Sequence, residues 1–207
     1  MTGPFPDETM NATMPKITRD SLMTLEAYAR ARKEFRAKVI AHKKPRAVRL
    51  GEHVTLLFED ELTIRYQIQE MLRIEKTFEE AGIQDELDVY NPLIPDGRNL
   101  KATMLIEYED EDERRAALAK MKGIEDRVWV QVEGSPRAYA IADEDLEREN
   151  AEKTSSVHFL RFELTKEMAE ALKYGVALSI GLDHPAYAAS ADPVDEETRS
   201  ALAADLA

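Results

Sequence analysis

The side chain of this sequence that is best suited to acid–base chemistry or metal binding is the imidazole of His158, in the segment Val157–Leu164. The even-numbered positions of this segment are mainly apolar, so a β-strand here turns His158 toward the core together with Leu160 and Phe162. A buried imidazole needs a partner for at least one ring nitrogen. The pattern favours a structural hydrogen bond, and a general base or a metal ligand is the alternative.

A metal site built from nitrogen and oxygen ligands is the more specific form of that alternative. His184 follows a later strand, and Glu70 and Glu107 offer carboxylates, so these residues are the candidate ligands beside His158. No HxxxH or ExxH spacing joins them, and we expect no metal. The sequence has no cysteine, which excludes disulfides, thiolate metal sites and ligation of an iron–sulfur cluster by this chain. The sequence leaves any cofactor unknown.

Charged and polar side chains on one predicted helix and one loop offer a site for an anionic ligand. Tyr66, Glu70 and Arg73 share a helix face at spacings of four and three residues. The loop over residues 91–99 holds two prolines and a glycine, and Arg98 and Lys101 could meet an anion there. A solvated helix face and a purely structural loop are the simpler interpretations.

One hypothesis combines these residues in an enzyme or ligand-binding pocket. His158 and Glu70 are its catalytic candidates, because they can exchange protons with a substrate. The remaining candidates bind the ligand: Tyr66, Arg73, Arg98, Lys101 and Arg161. The sequence contains no GxSxG motif, P-loop or dinucleotide-binding loop.

Charge is distributed unevenly along the chain. The segment Lys16–Arg49 holds eleven Lys and Arg residues against three acidic ones, a local charge of +8. Since the whole chain carries −13, the remainder carries −21. This balance argues against nucleic-acid binding, because phosphates would be repelled over most of the surface. The basic segment is expected to dock on an acidic partner or on the protein's own acidic face, or to be a solvated helix face.

The ends of the chain differ from its middle in composition. No stretch approaches the roughly 18–20 apolar residues of a membrane-spanning helix, and no secretory signal precedes the first helix. Together with the lack of cysteine, this predicts a cytoplasmic protein. We expect a disordered lead over 1–15, in which Met14 is an alternative start to Met1. We further expect one domain over 16–187 and a flexible, acidic, Ala-rich tail over 188–207.

Hydrophobic periodicity predicts an α+β fold with about seven strands and four main helices. The helices are expected near 19–41, 61–80, 110–121 and 166–174. The strands are expected near 46–50, 53–58, 102–108, 128–132, 137–142, 157–164 and 176–183. Two pairs of neighbouring strands look like hairpins, so the sheet should be largely antiparallel.

Three segments together carry a resemblance to a family: YQIQEMLRIE over 66–75, YNPLIPDG over 90–97 and KTSSVHFLRFE over 153–163. With them the sequence resembles, from about residue 17 to 187, a bacterial family known as a domain of unknown function. Members are often encoded beside a rubrerythrin-like protein and a cysteine-rich iron–sulfur oxidoreductase. The resemblance therefore implies an accessory role in redox or peroxide defence, with such a protein as partner.

Overall fold

The protein is an α+β structure with two antiparallel sheets. The computed structural model describes residues 16–145, 148, 150 and 152–207, and the lead predicted over 1–15 lies outside them. The described residues form six α-helices: α1 (Leu25–Lys43), α2 (Glu61–Glu75), α3 (Glu80–Tyr90), α4 (Glu111–Lys120), α5 (Lys166–Lys173) and α6 (Glu196–Ala203). They also form nine strands: β1 (Ala47–Leu50), β2 (Val54–Phe58), β3 (Asn99–Ile106), β4 (Val128–Val132), β5 (Ala138–Tyr139), β6 (Ile141–Ala142), β7 (Val157–Glu163), β8 (Leu178–His184) and β9 (Tyr187–Ala191).

The first sheet has the strand order β1-β2-β3-β7-β6. Its central strands β3 and β7 alternate between buried and half-buried residues, as the sequence pattern of β7 predicts. In their register Met104 lies opposite His158, and Lys101 lies opposite Arg161. His158 therefore points into the core, whereas Lys101 and Arg161 lie together on the other face of the sheet.

The second sheet has the order β5-β4-β8-β9. Trp129 of β4 lies opposite Gly181 of β8, where a Cβ atom would come within 2.2 Å of the indole, so the ring occupies the space that glycine leaves. Buried residues of both sheets form one hydrophobic cluster, to which α4, α5 and α6 also contribute. The segment predicted as one strand over 137–142 divides into β5 and β6, which belong to different sheets.

A second, smaller core lies among the helices α2 and α3 and the segment that precedes α1. Asp60 caps α2, with its side chain accepting from the backbone N–H of Thr63 at 2.9 Å. The helix ends at Glu75, and the residue that caps it, Lys76, has a left-handed φ of 55°. The predicted continuation to residue 80 is wrong, because Phe78, which extends the apolar pattern, is 73% exposed outside the helix.

The prediction of a flexible tail over 188–207 is corrected by the structure. Residues Tyr187–Ala191 form the edge strand β9, and α6 follows it, with Leu202 and Leu206 in the main core. Asp205 forms a buried ion pair with Arg46, with Nη2 to Oδ1 at 2.7 Å. The backbone N–H of Ala207 donates to the carbonyl of Gly97 at 2.8 Å. The last twenty residues are therefore part of the fold, whereas one domain over 16–187 stays a prediction.

None of the helices among the described residues is long and apolar enough to span a membrane.

Candidate functional site

His158 is the centre of a buried polar cluster. Its side chain is fully buried, and Nδ1 lies 2.6 Å from Oδ2 of Asp143, which also accepts the backbone N–H of Phe159 through Oδ1. Nε2 lies 3.1 Å from Oγ1 of Thr154 and 3.1 Å from the carbonyl oxygen of Ser155. A carboxylate oxygen of Glu125 lies 3.9 Å from the same nitrogen. The arrangement can hold a proton or a cation at Nε2.

The structure brings Glu125 and Asp143 to His158, and the sequence analysis missed both. Glu125 begins the 3-10 turn Glu125–Arg127 before β4, and Asp143 follows β6. One ligand atom from each of the three side chains lies within 4.8 Å of the others. Asp143 has a positive φ of 49°, but no local sequence pattern joins these three segments. The one local signal for this cluster is the alternation of apolar residues along β7, which predicts that His158 is buried.

Two of the three other candidate metal ligands, His184 and Glu107, lie apart from this cluster. Nε2 of His184 lies 3.0 Å from the carbonyl oxygen of Lys122, and the carboxylate of Glu107 accepts from Oγ1 of Thr55 at 3.1 Å. The structure places no contact between these residues and His158. Their grouping with His158 is therefore wrong, because two histidines that each follow or occupy a strand need not share an end of the sheets.

Glu70 lies in an ion-pair cluster between α1 and α2. Arg32 of α1 donates Nε to Oε1 at 2.7 Å and Nη2 to Oε2 at 2.8 Å, and Tyr28 donates its hydroxyl to Oε1 at 2.6 Å. Arg73 adds a longer contact at 3.4 Å. The hydrogen bonds from Arg32, followed in effect by those from Tyr28 and Arg73, lower the pKa of Glu70 to about 2 against the opposing effect of burial.

This cluster makes Glu70 a structural anion rather than a proton carrier near neutral pH. Burial, and then the bond to Glu70, raise the pKa of the Tyr28 phenol. The ring of Tyr66, predicted to bind a ligand, lies 6.1 Å from that of Phe35 in α1. Tyr66 and Glu70 thus both join α2 to α1, and Nη2 of Arg73 lies 3.4 Å from the Glu70 carboxylate.

The predicted anion-binding residues of the loop and of β7 divide into two groups. Arg98 lies 3.7 Å from Asp96 and is largely exposed. Lys101 and Arg161 face one another across β3 and β7, and Lys101 donates to the carbonyl of Pro92. Arg161 pairs with Glu144 at 2.7 Å and with Glu163. Burial lowers the pKa of Lys101, against the attraction of Asp96.

The pocket proposed from the sequence is therefore not assembled as one unit. Glu70 and Arg73 belong to the contact between α1 and α2, Arg161 and Lys101 to the outer face of the first sheet, and His158 to the core. The structure instead has a cleft of about 240 Å³ between the outer face of the first sheet and α2. Its polar lining includes Glu59, which is buried, and the half-buried Lys43 and Gln67. Oε1 of Glu59 accepts from Thr103 at 2.7 Å.

The solvent-facing side of α1 is a second candidate surface, which we call the basic face: Arg30, Lys33, Arg36, Ala37 and Ile40. All five residues are exposed, and Ile40 has 46% of its surface in solvent. The opposite side of α1 packs on α2 through Tyr28 and Phe35. Within the part of the chain that is described, no carboxylate forms an ion pair with Arg30, Lys33 or Arg36.

Two other cations of the basic segment, in contrast, have carboxylate partners within the fold. Arg32 forms an ion pair with Glu70, and Arg46 forms ion pairs with Asp60 and Asp205. The hypothesis that the segment docks on the protein's own acidic groups therefore holds for Arg32 and Arg46. The three cations of the basic face form no such pair with the described residues.

Comparisons with known proteins identify the family. A search of curated proteins gave no match. A crystal structure of a protein of unknown function from Burkholderia pseudomallei K96243 is 62% identical, with a TM-score of 0.89, and the alignment covers 93% of this chain and 100% of that one. A family model described as a protein of unknown function, DUF3501, matches residues 16–206, so the match includes the C-terminal region that the resemblance left out beyond 187. The chain belongs to the DUF3501 family of proteins of unknown function.

Proposed function

We propose that this protein is an accessory protein that docks on an acidic protein partner through the basic face of α1. The observation that supports this most is the set of three exposed cations, Arg30, Lys33 and Arg36, without carboxylate partners among the described residues. The rest of the chain is strongly acidic. A local basic surface on an acidic molecule favours one orientation of approach toward an acidic partner.

The basic face also has the composition of a protein contact. Ala37 and Ile40 are exposed on the same side of α1 as Lys33, at spacings of four and seven residues. They form a small apolar centre with cations around it. Arginine is enriched in protein interfaces, where apolar centres are surrounded by polar rims. Charge steers the encounter and supplies the salt-dependent part of the affinity, to which the apolar centre adds.

The partner class that we propose is an iron–sulfur or rubrerythrin-type redox protein. The support is the family resemblance, since proteins of these kinds are often encoded beside members of such a family. This chain has no cysteine and cannot supply thiolate ligands to a cluster. It would therefore act beside the redox centre of its partner in redox or peroxide defence, in the cytoplasm.

Affinity purification with matched variants tests this function. The full chain with a tag before Met1 is purified from its own host at about 50 mM salt, without oxygen, and co-purifying proteins and iron are measured. The tag avoids the C-terminus, because Leu206 is buried. The partner should be lost when Arg30, Lys33 and Arg36 are changed to Gln, and should dissociate from the wild type as salt is raised.

The control removes the same charge elsewhere. Lys120, Lys166 and Lys173 are exposed on α4 and α5, and changing them to Gln should leave the partner bound. Arg32 stays unchanged in both variants, since it holds Glu70. Equal recovery of the partner with the two variants would refute docking through the basic face. A specific partner that contains neither iron nor an iron–sulfur cluster would refute the redox assignment alone.

A further inference from the structure

We propose that His158 and Glu125, with Thr154 and the carbonyl of Ser155, hold a divalent first-row transition metal ion that joins the two sheets. The inference is independent of docking through α1. It starts from Nε2 of His158, which faces three oxygen atoms: Oγ1 of Thr154, the carbonyl of Ser155 and a carboxylate oxygen of Glu125. Two of these oxygens, the Ser155 carbonyl and the Glu125 carboxylate, can only accept, so a positive centre beside Nε2, either a proton or a metal ion, would satisfy them.

The spacing of these atoms fits a metal ion. Nε2 lies 3.1 Å from Thr154 Oγ1, 3.1 Å from Ser155 O and 3.9 Å from Glu125 Oε2, and the two side-chain oxygens lie 3.4 Å apart. Ligands about 2.1 Å from a common ion lie roughly 3.0–3.4 Å apart at octahedral or tetrahedral angles. The carboxylate of Glu125 would have to approach Nε2 by a fraction of an ångström.

Asp143 orients the imidazole for this role. The Nδ1–H group of His158 donates to Oδ2 of Asp143 at 2.6 Å, which leaves the lone pair on Nε2 for an ion. Histidine ligands of metals usually donate their second ring N–H to a carboxylate in this way. Asp143 is itself fixed, because its Oδ1 accepts the backbone N–H of Phe159 at 3.0 Å. It is therefore a positioning residue, not a ligand.

Glu125 provides the second observation that points to a cation. Its carboxylate belongs to a residue that is only 9% exposed. Its hydrogen bond is a long one from Thr154 at 3.4 Å, and no Lys or Arg of the described residues pairs with it. A buried carboxylate with so little compensation is costly, and a cation beside Nε2 would neutralise it.

The donor set and the burial indicate the metal and its role. Imidazole nitrogen with carboxylate, hydroxyl and carbonyl oxygen suits Zn²⁺, Mn²⁺ or Fe²⁺, and the chain has no thiolate that would favour softer ions. His158 is fully buried, so the site is closed to substrate. His158 lies in β7 of the first sheet, Thr154 and Ser155 lie just before this strand, and Glu125 lies in the turn before β4 of the second sheet. The ion would therefore stabilise the contact between the sheets.

Metal titration of the full chain tests the proposal. After removal of metal with EDTA, calorimetry should show one Zn²⁺ or Mn²⁺ bound per chain, and the melting temperature should rise on addition of the metal. Ca²⁺ should produce neither effect. Glu125→Gln and His158→Gln should lose binding. Asp143→Asn should bind about 10- to 100-fold more weakly, because the ring loses its oriented acceptor.

The control is His184→Gln, which removes a half-buried imidazole that lies apart from the cluster and should leave binding unchanged. If His158→Gln does not fold, Glu125→Gln alone decides, since it removes a ligand without removing the Asp143–His158 bond. Equal metal affinity of the wild type and Glu125→Gln, or the absence of stoichiometric binding to a folded wild type, would overturn the proposal and leave a proton on Nε2.

Discussion

The lowered pKa of Glu70 should make the free energy of unfolding depend on pH. Its pKa is about 2 in the folded protein and near 4.5 when unperturbed, chiefly because Arg32 binds the carboxylate. A lowered folded pKa stabilises the protein above pH 4.5 and loses that effect as pH falls from 4.5 toward 2. We expect the free energy of unfolding to fall over this range by about 1–2 kcal/mol more in the wild type than in Glu70→Gln, after allowance for solvent screening.

Urea unfolding at several pH values checks this expectation. Glu109→Gln is the matched control, because Glu109 is exposed and forms no ion pair with the described residues. It should retain the pH dependence of the wild type. If the free energy of unfolding changes equally with pH in Glu70→Gln and in the wild type between pH 6 and 3, the ion pair with Arg32 does not stabilise the protein as the structure implies.

The burial of a single residue could be predicted from the sequence where the alternation of apolar and polar residues along its own strand determines it. Alternation along β7 predicts that His158 points inward, and the structure has it fully buried. Its partners could not be predicted, because Glu125 and Asp143 come from separate segments that only the packing of the two sheets brings together. Glu70 and Arg73 were likewise assigned to a ligand, since nothing local indicates that Arg32 and Tyr28 lie across from them.

At the scale of elements, the C-terminal region shows the same limit. Its alanines and acidic residues suggested a tail with little to bury, yet Leu202 and Leu206 complete the main core. The helices predicted near 61–80 and 166–174 correspond to α2 and α5, which begin after the capping residues Asp60 and Thr165. An element that is stabilised by residues distant in sequence has a weaker local sequence pattern than one with a regular apolar period of its own.

The ion pair between Asp205 and Arg46 makes the role of this C-terminal element testable. Asp205→Asn would leave the buried guanidinium of Arg46 with Asp60 as its remaining anion, at 3.1 Å. We expect a loss of about 2–3 kcal/mol in the free energy of unfolding, because one partner of a buried pair stays behind. Urea unfolding measures it, and Glu197→Gln, an exposed change in α6, is the control. A flexible tail predicts no loss for either variant.

At the scale of the whole molecule, the net charge of −13 opposes folding through mutual repulsion. Raising the salt from about 10 mM to about 150 mM screens this repulsion, so we expect the melting temperature to rise by about 2–4 °C. The variants lacking Arg30, Lys33 and Arg36, or lacking Lys120, Lys166 and Lys173, each carry −16 and should rise more steeply. Thermal melts across this salt series measure the effect.

The basic face makes these two variants informative as a pair. Both lose three positive charges from the same acidic molecule, so repulsion alone predicts a similar gain in salt sensitivity for both. Partner binding, in contrast, should be lost from only the variant in α1. A melting temperature that falls as salt rises would mean that attraction between opposite charges outweighs repulsion in the fold. The unpaired cations of α1 would then stabilise the acidic body itself, and the case for an external partner would weaken.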